Sequence, residues 1–157
     1  MNITPLTPKF EYAMSVEVVL KPKLALGQLG KGGDRYYVEI VGGTFEGPRI
    51  KGKVLGGGGD WAHIRPDGVF DFDARYNLET DDGTLIYLQN RGFRWGSTDV
   101  MARLARREPV DPSEYYMRTS PTFEVRVGTH DWLTRHLFFG IGDKTPTGNI
   151  IHYYALL

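Results

Sequence analysis

Residues 69–80 read VFDFDARYNLET, and their side chains alternate in character. On an extended chain successive side chains point to opposite faces, so Val69, Asp71, Asp73, Arg75, Asn77 and Glu79 share one side and Phe70, Phe72, Ala74, Tyr76 and Leu78 the other. That is the pattern of a half-buried β-strand. The Phe72/Tyr76 face would meet the core and the charged face water, an assignment that would invert in a barrel with a polar cavity.

The neighbouring segments repeat the theme. YAMSVEVVL (12–20), RYYVEIVGG (35–43), RIKGKVLG (49–56) and TLIYLQNRG (84–92) are rich in β-branched and aromatic residues, as are EYYMRTS, TFEVRVG, RHLFFGIG and NIIHYYALL from residues 114, 122, 135 and 149. Short strands at short intervals predict an all-β, antiparallel chain rather than a βαβ one, and a closed or nearly closed β-barrel accommodates them. Asp67-Gly68, Asp82-Gly83 and Thr147-Gly148-Asn149 supply turn chemistry between strands, and GQLGKGGDR (27–35) reads as a mobile hairpin loop. One segment departs from this. STDVMARLARREPVDP (97–112) opens on the candidate caps Ser97, Thr98 and Asp99 and stops before Pro109, which predicts one short helix near a barrel end. Val100, Met101 and Leu104 would face inward, and Arg103, Arg106 and Arg107 outward near its C-terminal end.

Length and charge narrow the function classes. With 157 residues and 41% hydrophobic content, residues 1–157 suit a single domain able to bury a core. Basic and acidic residues balance at 19 each, so no net positive field exists to draw a nucleic acid, and none is expected as a partner. No secretory pattern opens the chain and no apolar run reaches the roughly 18 residues of a membrane span, which leads to the expectation of a soluble, cytoplasmic protein without membrane contact. The chain has no cysteine, so thiol nucleophiles, thiolate metal sites and disulfides are ruled out.

The run VLGGGGDW (54–61) raises the question of a phosphate cradle. It lacks the Gly-Lys-Ser/Thr of a nucleotide loop and the strand-turn-helix frame of a dinucleotide site, and an aspartate follows the glycines directly. A bulge or sharp strand bend that aims Asp60 and Trp61 is the better account. His63, His130, His136 and His152 show no metal-ligand spacing, so no metal site is expected. Serines are few and none sits in a nucleophile elbow. What remains is Asp, Glu, Arg, Tyr and Trp on strands, a set suited to acid/base chemistry without a cofactor and equally to ordinary ion pairs in a polar barrel interior.

From Gly42 onward the ordered set Gly42-Gly43-x-Phe45-x-Gly47-Pro48, Gly52-x-Val54, Gly57-Gly58-Gly59-Asp60-Trp61, Arg65, Asp67-Gly68, Asp73-Ala74-Arg75-Tyr76 and Asp82-Gly83 resembles the domain of unknown function 3237 family, DUF3237. Tyr115-Tyr116-x-Arg118-x-x-Pro121-x-Phe123-Glu124 and Trp132-Leu133 extend the likeness over nearly the whole chain. The resemblance implies a compact antiparallel barrel of small soluble proteins and carries no general activity. The chain departs from the family pattern at Leu55-Gly56-Gly57, where Pro-Gly-Gly is usual, and in a longer, more basic stretch from Ser97 to Val110.

Asp60 is the first candidate catalytic residue, since in an apolar pocket its pKa would rise toward that of a useful base or acid; its ordinary alternative is a turn acceptor or an arginine partner. Arg75 would clamp a carboxylate or enolate, Tyr116 would donate to an oxyanion and Glu124 is a second carboxylate, against structural ion pairs or core packing for each. Arg65, Tyr76, Arg91 and Arg118 would bind substrate, with Trp61 and Trp132 as apolar walls. Two function classes follow, with a third behind them. One is a cofactor-independent isomerase, cyclase or lyase moving a proton on a small apolar carbonyl or phenolic compound; another is a non-catalytic small-molecule carrier or sensor using the same cavity. The third is a protein-interaction module, and an exposed edge strand would also permit a homodimer.

Overall fold

The alternating segments do pair as antiparallel neighbours. The computed structural model describes residues 4–157. In chain order the strands are β1 (Phe10–Leu20), β2 (Leu24–Gln28), β3 (Asp34–Gly47), β4 (Ile50–Val54), β5 (Gly58–Asp60), β6 (His63–Ile64), β7 (Phe70–Thr80), β8 (Leu85–Gly96), β9 (Tyr115–Val125), β10 (Phe138–Lys144) and β11 (Gly148–Leu156), with helix α1 (Thr98–Ala105) between β8 and β9. The sheet runs β1-β11-β10-β9-β8-β7-β4-β3, and β3 pairs again with β1. The result is a closed, eight-stranded antiparallel barrel. Closure leaves β2, paired only with β3, outside the ring of strands.

Inside the barrel the apolar faces meet. Phe70, Phe72, Tyr76 and Leu78 of β7 are buried, whereas Arg75 and Asn77 are exposed. The inverted assignment of that strand is therefore not the one adopted. One apolar cluster, with Met14, Val16, Phe45, Leu78, Ile86, Leu88 and Tyr153, fills the end closed by the short 3-10 turn Asp131–Thr134, whose Leu133 is buried. A second, with Ala62, Phe70, Phe72, Tyr115 and Met117, is capped by Val100 and Leu104 of α1. No helix among the described residues is long and apolar enough to cross a membrane.

The helix starts where expected, with a defined cap, but ends at Ala105, so Arg106 and Arg107 lie beyond it rather than on its outer face. Ser97 Oγ accepts the Val100 amide at 3.2 Å, satisfying one of the free N–H groups of the first turn. Arg103 lies between Asp99, Glu108 and Glu114, which hold the basic side of the helix near the chain that follows it. Ser97→Ala should cost about 1 kcal/mol in a urea melt. An unchanged midpoint would show that packing of Val100 and Leu104, rather than the cap, holds this end shut.

Candidate functional site

The glycine run is a turn followed by a strand. Gly57 adopts φ +94°, which favours glycine, and its amide donates to Ile40 O at 3.2 Å. The chain then re-enters the sheet as β5, wedged between β3 and β7, with Asp60 opposite Val38 on one side and Ala74 on the other. A Cβ on Gly58 would stand 2.5 Å from Tyr76 Cβ and 2.6 Å from Arg75 O, so the wedge admits no side chain there.

This geometry turns Asp60 into the barrel. It lines a cavity with Val18, Ile40, Phe72, Tyr76, Asn90, Met117, Thr119 and Asn149 among its neighbours, and about 400 Å³ of atom-free space, part of it open to solvent, lies there. The cavity sits where the two apolar clusters meet. Burial pushes the Asp60 pKa up to about 6; the Asp73 amide, donating to Oδ1 at 2.9 Å, pulls it down, and the Asp73 carboxylate pushes it up. A carboxyl poised in this way exchanges protons near neutral pH.

The polar groups around Asp60 are short of partners. The hydroxyls of Tyr76, Tyr153 and Thr119 stand beside one another, close enough to interact but out of good hydrogen-bonding geometry, and Asn90 Oδ1 is buried with no partner at all. Each such group left unpaired costs about 1–3 kcal/mol, so several facing one space describe a wall that a polar ligand, or water in its place, would satisfy. Burial also raises the Tyr76 phenol well above its usual range, which keeps it a neutral donor.

The remaining expected site residues are dispersed. Asp60 and Tyr76 share the cavity, but Arg75 lies on the outer face of β7, paired with Asp73 at 3.1 Å. Strand alternation makes this unavoidable: if Tyr76 points in, Arg75 points out. Tyr116 is 39% exposed and stacks on Trp95 outside the barrel, with the Arg118 guanidinium 5.2 Å from its ring. Glu124 and Arg91 are exposed, opposite Tyr87 and Asp73 respectively, and Arg65 closes a surface pair with Asp67. Trp61 is 45% exposed beside Tyr37, because the residue after an inward Asp60 must turn outward. Trp132 packs on the opposite end of the core under Arg49 and borders a separate hollow.

The structure also supplies residues that were not singled out. Asn90 follows Ile86 and Leu88 on the inward register of β8, and Thr119 follows Tyr115 and Met117 on that of β9. A polar residue interrupting an apolar register was the available signal. Among the described residues no group of three or more acidic or histidine side chains could hold a metal ion. The histidines bond elsewhere: His63 to Gly32 O, His130 to Asp82, His136 to Trp132 O and His152 to Ser15.

Comparison with known proteins agrees with this architecture. The model of the family described as "Protein of unknown function (DUF3237)" matches residues 8–156. A UPF0311 protein of Rhodopseudomonas palustris strain TIE-1 is 38% identical over 154 residues, covering 97% of this chain and 100% of its own. The crystal structure of a conserved R. palustris protein of unknown function is similar with a TM-score of 0.94 at 34% identity, over 98% of this chain and 100% of that one. A Penicillium herquei protein described as an enzyme has a TM-score of 0.76 at 19% identity over the full length of both chains, a likeness of fold.

Proposed function

Because this chain belongs to the DUF3237 family, whose description carries no activity, its function has to be read from the barrel interior, and we propose that it is a cofactor-independent isomerase, cyclase or lyase acting by proton transfer on a small carbonyl or phenolic compound. The observation that carries the reading is Asp60, a buried carboxyl with its pKa near 6, set in a cavity wall that also presents the poorly satisfied polar groups of Tyr76, Asn90 and Thr119. In this mechanism Asp60 takes a proton from carbon next to a carbonyl and returns it at another position. The phenol of Tyr76 donates to the oxygen on which charge develops. Asn90 and Thr119 orient the substrate through the atoms they leave free, while Val18, Ile40, Phe72 and Met117 exclude water from the reacting face. Arg75, Tyr116 and Glu124 have no part in it, since they stand on the far side of the barrel wall. The same barrel form houses a protein described as an enzyme in Penicillium herquei, which supports the capacity of the fold and nothing narrower.

The test is hydrogen–deuterium exchange at carbon. Incubated in D₂O with an enolisable ketone such as 1-phenylpropan-2-one, the protein should accelerate α-deuteration, read by proton NMR. Asp60→Asn should lower that acceleration by about 10²–10⁴-fold, the usual contribution of a positioned base. Equal exchange with both proteins would remove the proton-transfer reading. Binding of the ketone with its protons untouched would instead identify a carrier.

A further inference from the structure

Beyond the cavity lining, towards the α1 end, two cations are held inside the barrel. Arg94 follows Leu88, Asn90 and Gly92 on the inward register of β8, opposite Phe70 on one side and Met117 on the other. Its guanidinium lies 4.5 Å from the centroid of the Phe70 ring, and its Nε is buried with no hydrogen-bond partner. Lys144 follows Gly140 and Gly142 on the inward register of β10, and its ammonium donates to Asn149 Oδ1, a residue of the cavity wall, at 2.8 Å.

Neither cation forms an ion pair among the described residues. The acid beside Lys144 in the chain is otherwise engaged: Asp143 Oδ1 accepts the Tyr115 hydroxyl and the Lys144 backbone amide. Around Lys144 stand Arg94, Arg107 and Lys23, with Asp60 as the acid that draws its charge. Burial and these like charges lower the Lys144 pKa to about 7, and burial lowers that of Arg94. Asp60 is the one acid facing both cations and can offset only one of them, so the cluster keeps an excess of buried positive charge, a costly arrangement that a bound anion would repay.

We propose that Arg94 and Lys144 form a carboxylate-binding pocket at this end of the cavity, so that the substrate is a small aromatic acid. The proposal rests on the reading of the cavity as a substrate site. Arg94 offers its fork to a carboxylate, for which guanidinium geometry is suited, and Lys144 adds a point charge from β10. The ring then extends past Phe72 and Met117 towards Asp60, which puts the carbon next to the ring within the base's part of the chamber.

The experiment compares benzoate with benzamide, which have nearly the same shape and differ in charge, by isothermal titration calorimetry at about pH 6, where Lys144 is cationic. Benzoate should bind at least tenfold more tightly than benzamide. Arg94→Met and Lys144→Met should each abolish that preference while weakening benzamide binding far less than benzoate binding, and the ligand-free variants should melt at the same or a higher temperature than the parent, because part of an excess buried positive charge has been removed. Equal binding of the two probes, or retention of the preference in both variants, would overturn the carboxylate pocket and leave the proton-transfer proposal standing. Failure of both probes to bind would overturn the cavity as a ligand site altogether. A benzoate preference in a protein that exchanges no ketone protons would uphold the pocket and remove only the chemistry.

Discussion

Asp60→Asn should make the protein markedly more stable at pH 7.5. The carboxyl titrates near 3.8 in the unfolded chain and near 6 in the barrel, so between these values the folded state binds more protons and stability falls as pH rises. Above pH 6 the whole penalty is present, and a shift of this size corresponds to about 3 kcal/mol. Asparagine keeps an oxygen for the Asp73 amide and carries no charge to bury. The melting temperature should therefore rise by roughly 6–12 °C for a chain of this size, and the decline of stability between about pH 4 and 6 should flatten. Lys144 does not blur that window. Its folded pKa, near 7, lies below the unfolded value of 10.5, so its penalty is complete below pH 7 and is relieved as pH rises towards 10. Calorimetric scans of both proteins from pH 4 to 8 decide the matter, and a variant no more stable than the parent at pH 7.5 would mean that Asp60 is solvated. Together with the expected loss of deuterium exchange, the result would mark a residue kept at the expense of stability, as groups with shifted pKa in active sites commonly are.

Gly58→Ala should have the opposite effect. The new methyl would press on Tyr76 Cβ and on the Arg75 carbonyl, and backbone cannot swing aside as a long side chain can. Relief requires β5 to lift away from β7, which breaks the pairing of Gly59 with Arg75 and Asp60 with Ala74. Overpacking of this kind costs about 3 kcal/mol, visible as a lower urea midpoint. Because Asp60 is only two residues further on, the displaced strand carries it towards water, and its pKa should return from about 6 to near 4. Carboxyl-carbon NMR titration follows this directly. A destabilised variant in which Asp60 still titrates near 6 would separate the packing role of the glycine from the aiming of the acid.

The strands that decide the barrel were legible because their patterns were local. In β7 every second residue is apolar, and the buried set Phe70, Phe72, Tyr76 and Leu78 follows from that alternation. Ser97 before a stretch with Val100 and Leu104 on one side marked the start of α1 for a similar reason, since capping and amphipathic spacing act within a turn or two. The reversal at Gly56-Gly57 was also readable, as was the delivery of Asp60 that follows it, but not the outward turn of Trp61, which was expected to share that direction. By contrast β2, β5 and β6 were not anticipated as strands. They are two to five residues long and are held by pairing rather than by a pattern of their own, β2 by β3 alone and β5 and β6 by β3 and β7 together.

The composition of the site was another matter. Arg75, Tyr116, Glu124 and the arginines at 65, 91 and 118 have the right chemistry for an enolate site, yet alternation along their strands or local pairing turns them away from the chamber. Asn90, Thr119, Arg94, Lys144 and Asn149 occupy inward positions and look unremarkable one at a time. The linear chain determined which segments extend, where they reverse and which side of each is apolar, because those properties depend on neighbours a few residues apart. Only closure of the barrel decided which polar groups share a chamber: it sets residues from β5, β7, β8, β9, β10 and β11 around one space, and the shielding that shifts Asp60 and Lys144 exists only when those strands surround them together.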